Sequence, residues 1–545
     1  MSDLRDPYLD IPLDGVQLIE ASAGTGKTFT LATLVTRLVV ERGLRIGQIL
    51  AVTFTEAATQ ELRKRIRERL QLTLDVLDAP EAGGDSAEAV LTRQLLESHR
   101  AHSDEGEDSL RRRLRQATLE TDLAAIFTIH GFCARVLREH ALESGQGFDA
   151  ATLLTNDRDL RAELAADLWR FHAQDSAGAD DLAALWSGGF EDLSKDLPAL
   201  LREPVLLPPV ADDGLVAGIE AMQRDVLQAQ AALQQAWNAH GEDFLDALAA
   251  AIDADVMNRN SYRQAWLADL RQWLQAFAHD PWLAGAPHPK LEKLTATALA
   301  TGTKKGNADR TPASAPMSQA VSHYLDALLA LDGLLVRRRG NLLHRLRDEA
   351  RTRLSLLKRQ RRVQTYDDLI DGVADALAHD EAGTLVRQLR SQYAVALVDE
   401  FQDTDARQWA IFDAVFGSGS AQPALFVIGD PKQAIYGFRG GDVHTYLAAA
   451  KVAASAPALS HNFRSRPAVL RAVAALYANA GDAAFIDPRI EFRAVEAGHA
   501  RDDDFLRDGQ PAPALTVWRA PKPPVDEKGK QKPWSAGESR EFATQ

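Results

Sequence analysis

The sequence predicts an α/β protein: a parallel sheet carrying a phosphate-binding loop, split by a large all-helical insertion and followed by the start of a second domain of the same kind. Three observations predict it. A Gly-rich turn, Ala21 to Thr28, stands between a short apolar strand and a helical pattern. Two later apolar runs, YAVALVDE and PALFVIGD, each end in an acid, which is how a buried parallel strand reads where it delivers side chains to a site. Residues 151–362 change texture to Ala, Leu, Gln and Arg at 3.6-residue spacing, with few β-branched residues.

Taken in order, VQLIE at 16–20 is a short run suited to a buried strand, and ASAGTGKT is its turn. Residues 29–40 then carry apolar side chains at helical spacing. QILAVTFT, residues 48–55, reads as a second strand leading into a helix rich in Arg and Glu, and residues 128–137 read as another strand-to-helix junction. Residues 1–150 are thus the first part of the sheet domain and 151–362 the helical insertion, broken by one polar loop at 301–316. Residues 363–450 complete the sheet domain. Residues 451–545 begin the second domain and close on a Pro- and Lys-rich stretch that reads as a linker. No internal repeat is present.

Composition narrows the class. A chain of 545 residues with 46% hydrophobic and 26% charged residues is neither disordered nor fibrous, and its length suggests about three or four domains. Unbroken apolar runs such as 247–252 fall far short of the ~20 residues that cross a bilayer. The opening MSDLRDPYLDIPLDG is acidic and broken by prolines, unlike a secretory signal. The single cysteine, Cys133, excludes an internal disulfide and a thiolate metal site, and makes a reducing cytoplasm the expected compartment. The net charge of −15 argues against a nucleic-acid binder if taken alone. Yet residues 341–366 hold eight Lys or Arg against two acids, and residues 61–69 five against two. Each stripe reads either as a solvated helix face or as a surface for phosphates.

Four elements carry chemistry. Ala21, Ser22, Ala23, Gly24, Thr25, Gly26, Lys27 and Thr28 form a phosphate loop, with Ala21 where the strict pattern has glycine. Its glycines let the backbone amides face phosphates, Lys27 places a charge at the β/γ-phosphates, and Thr28 offers a hydroxyl to Mg²⁺. Asp399 and Glu400 close an apolar strand; one carboxylate suits Mg²⁺ and its neighbour suits the attacking water. In GDPKQAIYGFRGGD, Gln433 follows a strand end and suits the γ-phosphate, while Phe438 and Arg439 offer an aromatic face beside a cation. Such a face stacks on any base; Tyr436 and Phe438 also read as core. In LSHNFRSRP, Arg464 suits a γ-phosphate sensor, and Arg466 reads as well as a structural partner.

These elements, with AVTFTEAATQELRKRI and FTIHGFCARVL, resemble superfamily 1 DNA helicases of the UvrD/Rep type. LIEASAGTGKTFT, VTFTEAATQELRKRI and YDDLI at 366–370 are most similar to the RecB branch, the beta subunits of exodeoxyribonuclease V. The resemblance implies a RecA-like phosphate-loop NTPase domain (1A) in two parts, the helical block as domain 1B touching duplex DNA, and the start of domain 2A. It implies ATP and Mg²⁺ held by the phosphate loop, Asp399, Glu400, Gln433 and Arg464, with Phe463 against the adenine. Thr53, Phe54, Thr55, Thr128, His130, Phe438 and Arg439 would line a single-strand track, although His130 also reads as a buried histidine. Single-stranded and duplex DNA, and RecC-like and RecD-like subunits, are the implied partners, in double-strand break repair and recombination. No membrane is implied.

Two departures accompany the resemblance. No adenine-reading glutamine stands clearly upstream of the loop, Gln17 lying too close to the strand. The later helicase motifs and a nuclease domain are expected beyond Gln545, so the chain by itself is expected to bind nucleotide and hydrolyse it feebly. A DNA-binding or assembly protein that holds ATP without efficient turnover is the alternative. An unrelated phosphate-loop enzyme, such as a kinase or a transporter ATPase, is the third reading, and it predicts no response to single-stranded DNA.

Overall fold

Three apolar runs, ILAVT, VALV and ALFVIG, form the middle of a six-stranded parallel sheet in the computed structural model. The structure describes residues 7–144, 151–202, 206, 207, 209, 210, 214–417, 424–435, 437, 441–455, 458–481, 484, 485, 487–498, 505–507, 509–517, 522, 523, 531 and 533–544. The strands are β1 (Val16–Glu20), β2 (Ile49–Thr53), β3 (Ile126–Thr128), β4 (Val395–Val398), β5 (Ala424–Gly429) and β6 (Ala454–Ser455). Their order across the sheet is β3-β2-β4-β5-β1-β6. Every neighbouring pair is parallel, with Ile49 opposite Val395, Val395 opposite Ala424 and Glu20 opposite Gly429.

Parallel strands need both faces covered, and the two-residue period of a strand divides its side chains between two cores. Ile19, Ile49, Ala51, Leu397, Phe426 and Ile428 pack in one layer with Leu34 and Leu38 of the helix Lys27–Glu41 and Leu62, Ile66 and Leu70 of the helix Glu56–Asp78. Leu50, Val52, Ala396, Val398, Leu425 and Val427 pack in the other with Phe132 and Val136 of the helix Ile129–Glu139, Val373 of Tyr366–Ala378 and Phe412 of Ala406–Phe416. Cys133 lies in this second layer, fully buried, and burial pushes its thiol up to about 12. Ellman's reagent at neutral pH is therefore expected to leave Cys133 unmodified in the native protein and to titrate it in guanidinium. Rapid native labelling would show the layer to be open.

Because all six strands run the same way, their carboxyl ends share one edge, where open α/β sheets bind ligands. The chain leaves that edge through side-chain caps. Thr55 accepts from the Ala58 amide at 3.1 Å, Thr128 from the Gly131 amide at 3.2 Å and Asp405 from the Gln408 amide at 2.8 Å, each satisfying an orphan donor of a helix start.

Residues 154–363 form a separate compact unit. Helices Arg158–His172, Ser176–Leu185, Phe190–Arg202, Leu215–Asp253 and Leu267–His279 are joined by the 46-residue helix Pro316–Arg361. That long helix carries two cores in succession. Met317, Val321 and Tyr324 belong to one, Leu342, Leu346, Ala350 and Leu354 to the other. The polar stretch 301–316, expected as an exposed loop, is pinned where Lys304 donates its amide to the Val256 carbonyl at 2.9 Å and Asn258 to that of Gly302 at 2.8 Å. Near the chain's end, in the stretch expected as a linker, Ala536–Thr544 is helical. Among the described residues no helix is long and apolar enough to cross a membrane.

Several members of both basic stripes pair within the fold. Arg361 pairs with Glu163 at 2.6 Å, Lys358 with Asp157 at 3.6 Å and Arg353 with Glu349 at 3.3 Å, while Arg351 donates to the Leu201 carbonyl at 2.8 Å. In the earlier stripe Arg63 donates to the Ile126 carbonyl at 3.1 Å, Arg67 pairs with Asp122, and Arg69 is buried with its guanidinium over the Phe29 ring. Lys64, Arg65, Arg345 and Arg359 are exposed, as are Arg67, Arg351 and Arg361 despite their partners.

Candidate nucleotide and nucleic-acid site

The phosphate loop leaves the carboxyl end of β1, where the Ala21 amide donates to the Gly429 carbonyl at 3.0 Å. The amide and hydroxyl of Thr25 both donate to the Ser22 carbonyl, at 3.2 and 2.8 Å, closing a tight turn. Gly24 and Gly26 have φ of 80° and 91°, which glycine adopts without a steric penalty. Lys27 then opens the helix Lys27–Glu41, so the loop ends on a helix N-terminus, whose free amides and dipole favour phosphate.

Opposite lie the acids that follow β4. Lys27 Nζ donates to Glu400 Oε2 at 2.6 Å. Glu400 has φ 49°, a left-handed conformation uncommon for a non-glycine residue, and its amide donates to Asp399 Oδ1 at 2.9 Å. Burial, then the Glu400 charge, pushes the Asp399 carboxyl up to about 6 against the pull of Lys27. Asp403 is raised to about 6 by the same causes, and its buried Oδ1 has no partner among the described residues. One ammonium therefore faces three carboxylates. Among the described residues no group of three or more His, Cys, Asp or Glu is placed to hold a metal ion by itself; a carboxylate at a strand end and a loop hydroxyl are the oxygen donors that Mg²⁺ takes together with the phosphates of a bound nucleotide.

A third group gathers where β5 ends. Asp430 accepts from Gln433 Nε2 at 2.8 Å and from Lys432 Nζ at 2.8 Å, and Lys432 also pairs with Glu20 at the end of β1. Gln402 donates to Glu400 Oε2 at 2.8 Å and accepts from the Asp430 amide at 3.0 Å. Gln433 is thus held on Asp430. Phe438 and Arg439 lie outside the described residues.

The segment 459–465 runs along the loop. The Leu459 amide donates to the Glu20 carbonyl at 3.2 Å, Asn462 Nδ2 to Ala23 at 2.6 Å and the Phe463 amide to Gly24 at 2.8 Å. A Cβ on Gly24 would stand 2.7 Å from Arg464 Cβ, so Arg464 is fixed beside the loop. Phe463 is 36% exposed. Gln17 faces the other way, donating to the Asp14 carbonyl at 2.8 Å from a buried strand position.

The described residues among those expected on a nucleic-acid track fall at the ends of β2 and β3. Thr53 is buried, its hydroxyl 2.7 Å from that of Thr59, while Phe54 is half-buried. Thr55 and Thr128 are the helix caps above, and the Thr128 hydroxyl also donates to Glu56 at 3.1 Å. His130 packs edge-on to the Tyr366 ring at 5.3 Å, and burial lowers its pKa against the charges of Asp367 and Asp405. Gln402, Asn462, Lys432 and Glu20 were not singled out by sequence. Each stands inside or beside a quoted motif, but its partner is remote in the chain. A hollow of about 510 Å³, lined by Asp10, Arg37 and His99, lies at the far end of the helix Lys27–Glu41 and shares no residue with this site.

A glycine-bent loop closing on an acid pair at the carboxyl edge of a parallel sheet defines a phosphate-loop α/β protein, here with a helical insertion. The chain belongs to the UvrD/REP helicase family: the UvrD/REP helicase N-terminal domain matches residues 9–454. It is similar to the RecBCD enzyme subunit RecB of Escherichia coli (strain K12), at 34% identity over 536 residues, covering 95% of this chain and 42% of that protein. The RecB subunit of Haemophilus influenzae is 31% identical over 548 residues, covering 94% of this chain and 43% of its own length. That of Mycolicibacterium smegmatis is 28% identical over 453 residues, covering 83% and 29%. The chain thus spans less than half the length of these relatives.

Proposed function

We propose that this chain is the N-terminal motor portion of a RecB-like DNA helicase, converting ATP hydrolysis into movement along single-stranded DNA and unwinding of duplex. The observation that carries the reading is the 2.6 Å contact between Lys27 and Glu400, which brings loop and acid pair into one site. In this reading the loop amides and Lys27 receive the phosphates, and Thr28 and Asp399 would hold Mg²⁺, which would supply positive charge against that of the phosphates. As Lys27 moves onto the phosphates, Glu400 is freed to take a proton from the attacking water. Gln433 and Arg464 read the γ-phosphate, and Phe463 packs on the adenine. Thr53, Phe54, Thr55, Thr128 and His130, with Phe438 and Arg439, make up the single-strand track. Residues 1–150 and 363–450 act as motor domain 1A, 151–362 as domain 1B toward the duplex, and 451–545 as the start of domain 2A. The relatives' name, RecBCD enzyme subunit RecB, supports assembly with RecC-like and RecD-like subunits, and work in double-strand break repair and recombination is part of the same proposal.

A second reading, a DNA-binding or assembly protein that retains ATP without efficient turnover, draws on the same contact, because Lys27 and Glu400 neutralise each other until nucleotide separates them. Single-turnover hydrolysis of labelled ATP with and without oligo(dT) decides between them. Acceleration by DNA supports the motor. Binding of both ligands without hydrolysis would favour the second reading, and hydrolysis indifferent to DNA would sink both.

A further inference from the structure

Within the segment 459–465 one side chain bonds in two directions. Asn462 is 5% exposed, and its Nδ2 donates to the Ala23 carbonyl of the phosphate loop at 2.6 Å. Its Oδ1 accepts the amides of Arg464 at 2.9 Å and Ser465 at 2.7 Å. Only one orientation satisfies all three partners, since a flipped amide would set its oxygen against a carbonyl and its NH₂ against two N–H groups. The backbone beside it is tied as well. The Phe463 amide donates to the Gly24 carbonyl at 2.8 Å, and the Gly498 amide to the Asn462 carbonyl at 2.8 Å. Gly24 leaves the space for this amide, because a Cβ there would stand 3.0 Å from Asn462 Nδ2 and 3.1 Å from its Oδ1. Asn462 is thus buried between the loop and the backbone of Arg464, whereas Arg464 is exposed.

We propose that Asn462 is a positioning residue that sets Arg464 against the phosphate loop, so that the site tells a nucleoside triphosphate from a diphosphate. The proposal rests on the motor reading above, in which Arg464 reads the γ-phosphate. The loop amides and Lys27 meet phosphates of either nucleotide, but a γ-phosphate sensor acts on the triphosphate alone. An arginine side chain has many rotamers to lose, so it finds one phosphate oxygen reproducibly only from a fixed backbone. Asn462 fixes that backbone through an Asx turn, and the other end of the same side-chain amide is bonded to the loop that receives the phosphates. The sensor and the loop are therefore set in register by one side chain.

The test measures the affinities of the unmodified chain for labelled ADP and for a labelled non-hydrolysable ATP analogue, both with Mg²⁺, and takes their ratio. Arg464→Ala should lower the preference for the analogue by about 10- to 100-fold, the range for a hydrogen bond to a charged group. Asn462→Asp keeps the size and the acceptor oxygen but sets a second oxygen against the Ala23 carbonyl. It should lower the preference by much of the same factor, and the double variant should fall no further than Arg464→Ala alone. Asn462→Ala, which removes both ends of the link, should behave alike, and it decides the matter if the Asp variant fails to fold. A folded Asn462 variant that keeps the full preference, or that binds both nucleotides more weakly by the same factor, would overturn the proposal, as would losses that multiply in the double variant. If Arg464→Ala itself keeps the preference, the motor reading's assignment of Arg464 falls first and the positioning role falls with it.

Discussion

Lys27→Ala is expected to lower ATP hydrolysis by at least about 100-fold, the scale for removing one group that stabilises transition-state charge, while single-strand binding is kept. The same substitution has a pH-dependent effect on stability. Asp399 and Asp403 stand at about 6, above the usual aspartate value of about 3.9. A carboxyl raised on folding holds its proton more tightly in the native state. Its stabilising contribution is complete below the unfolded value and is lost as pH rises through the folded one. Lys27 pulls both carboxyls down and so limits the loss. Without it, the variant should melt close to the unmodified chain near pH 5 and clearly below it near pH 8. Thermal melts across that range check this, and a gap that widened toward acid would show that Lys27 does not serve as counter-charge to these acids.

Gly24→Ala is expected to be the most disruptive single-methyl change in the loop. Left-handed backbone costs an L-residue about 1–2 kcal/mol. The new Cβ would also stand 2.7 Å from Arg464 Cβ and 3.0 Å from Asn462 Nδ2, and such overpacking costs about 1–3 kcal/mol more. Gly26→Ala is the internal comparison. Its φ is 91°, but its nearest neighbour is Phe29 Cβ at 3.7 Å, so only the backbone cost applies. In urea melts Gly24→Ala should lose more stability than Gly26→Ala, and it should also weaken nucleotide binding by displacing Arg464. Equal losses would mean that the segment carrying Asn462 and Arg464 does not press on the loop.

The sheet was legible because its information is local. VALV and ALFVIG are buried on both faces and therefore read as unbroken apolar runs, and the loop's glycines sit where φ is positive. The pairing of Lys27 with Glu400 across 373 positions was foreseeable only as chemistry, since a phosphate lysine and a strand-end acid pair serve the same ligand. Asn462 and Gln402 were illegible for the opposite reason. A lone buried amide carries no periodicity, and Asn462 meets its partner Ala23 439 positions away. A basic stripe is not assigned by sequence alone, because a run of Arg and Lys looks the same whether it faces solvent, a phosphate or, as with Arg361 and Glu163, an acid of a neighbouring helix. Thr55 and Thr128 read in the sequence only as hydroxyls, and the structure gives each hydroxyl a helix to cap.

The sheet order has a consequence for how the chain is made. β2 pairs with β3 on one side and on the other with β4, which follows the helical insertion, so Ile49 waits for Val395. At about 5–20 residues per second, the intervening stretch of roughly 350 residues occupies a ribosome for some 20–70 s. During that interval the inner edge of β2 has no strand to pair with, and its ILAVT sequence, apolar and free of charge, is the kind of edge that invites wrong partners. The insertion closes neither of its two cores until the helix Pro316–Arg361, which both share, has been made, late in the same interval. Synthesis thus holds open a half-built sheet, and chaperone demand should peak before Val395 emerges from the ribosome.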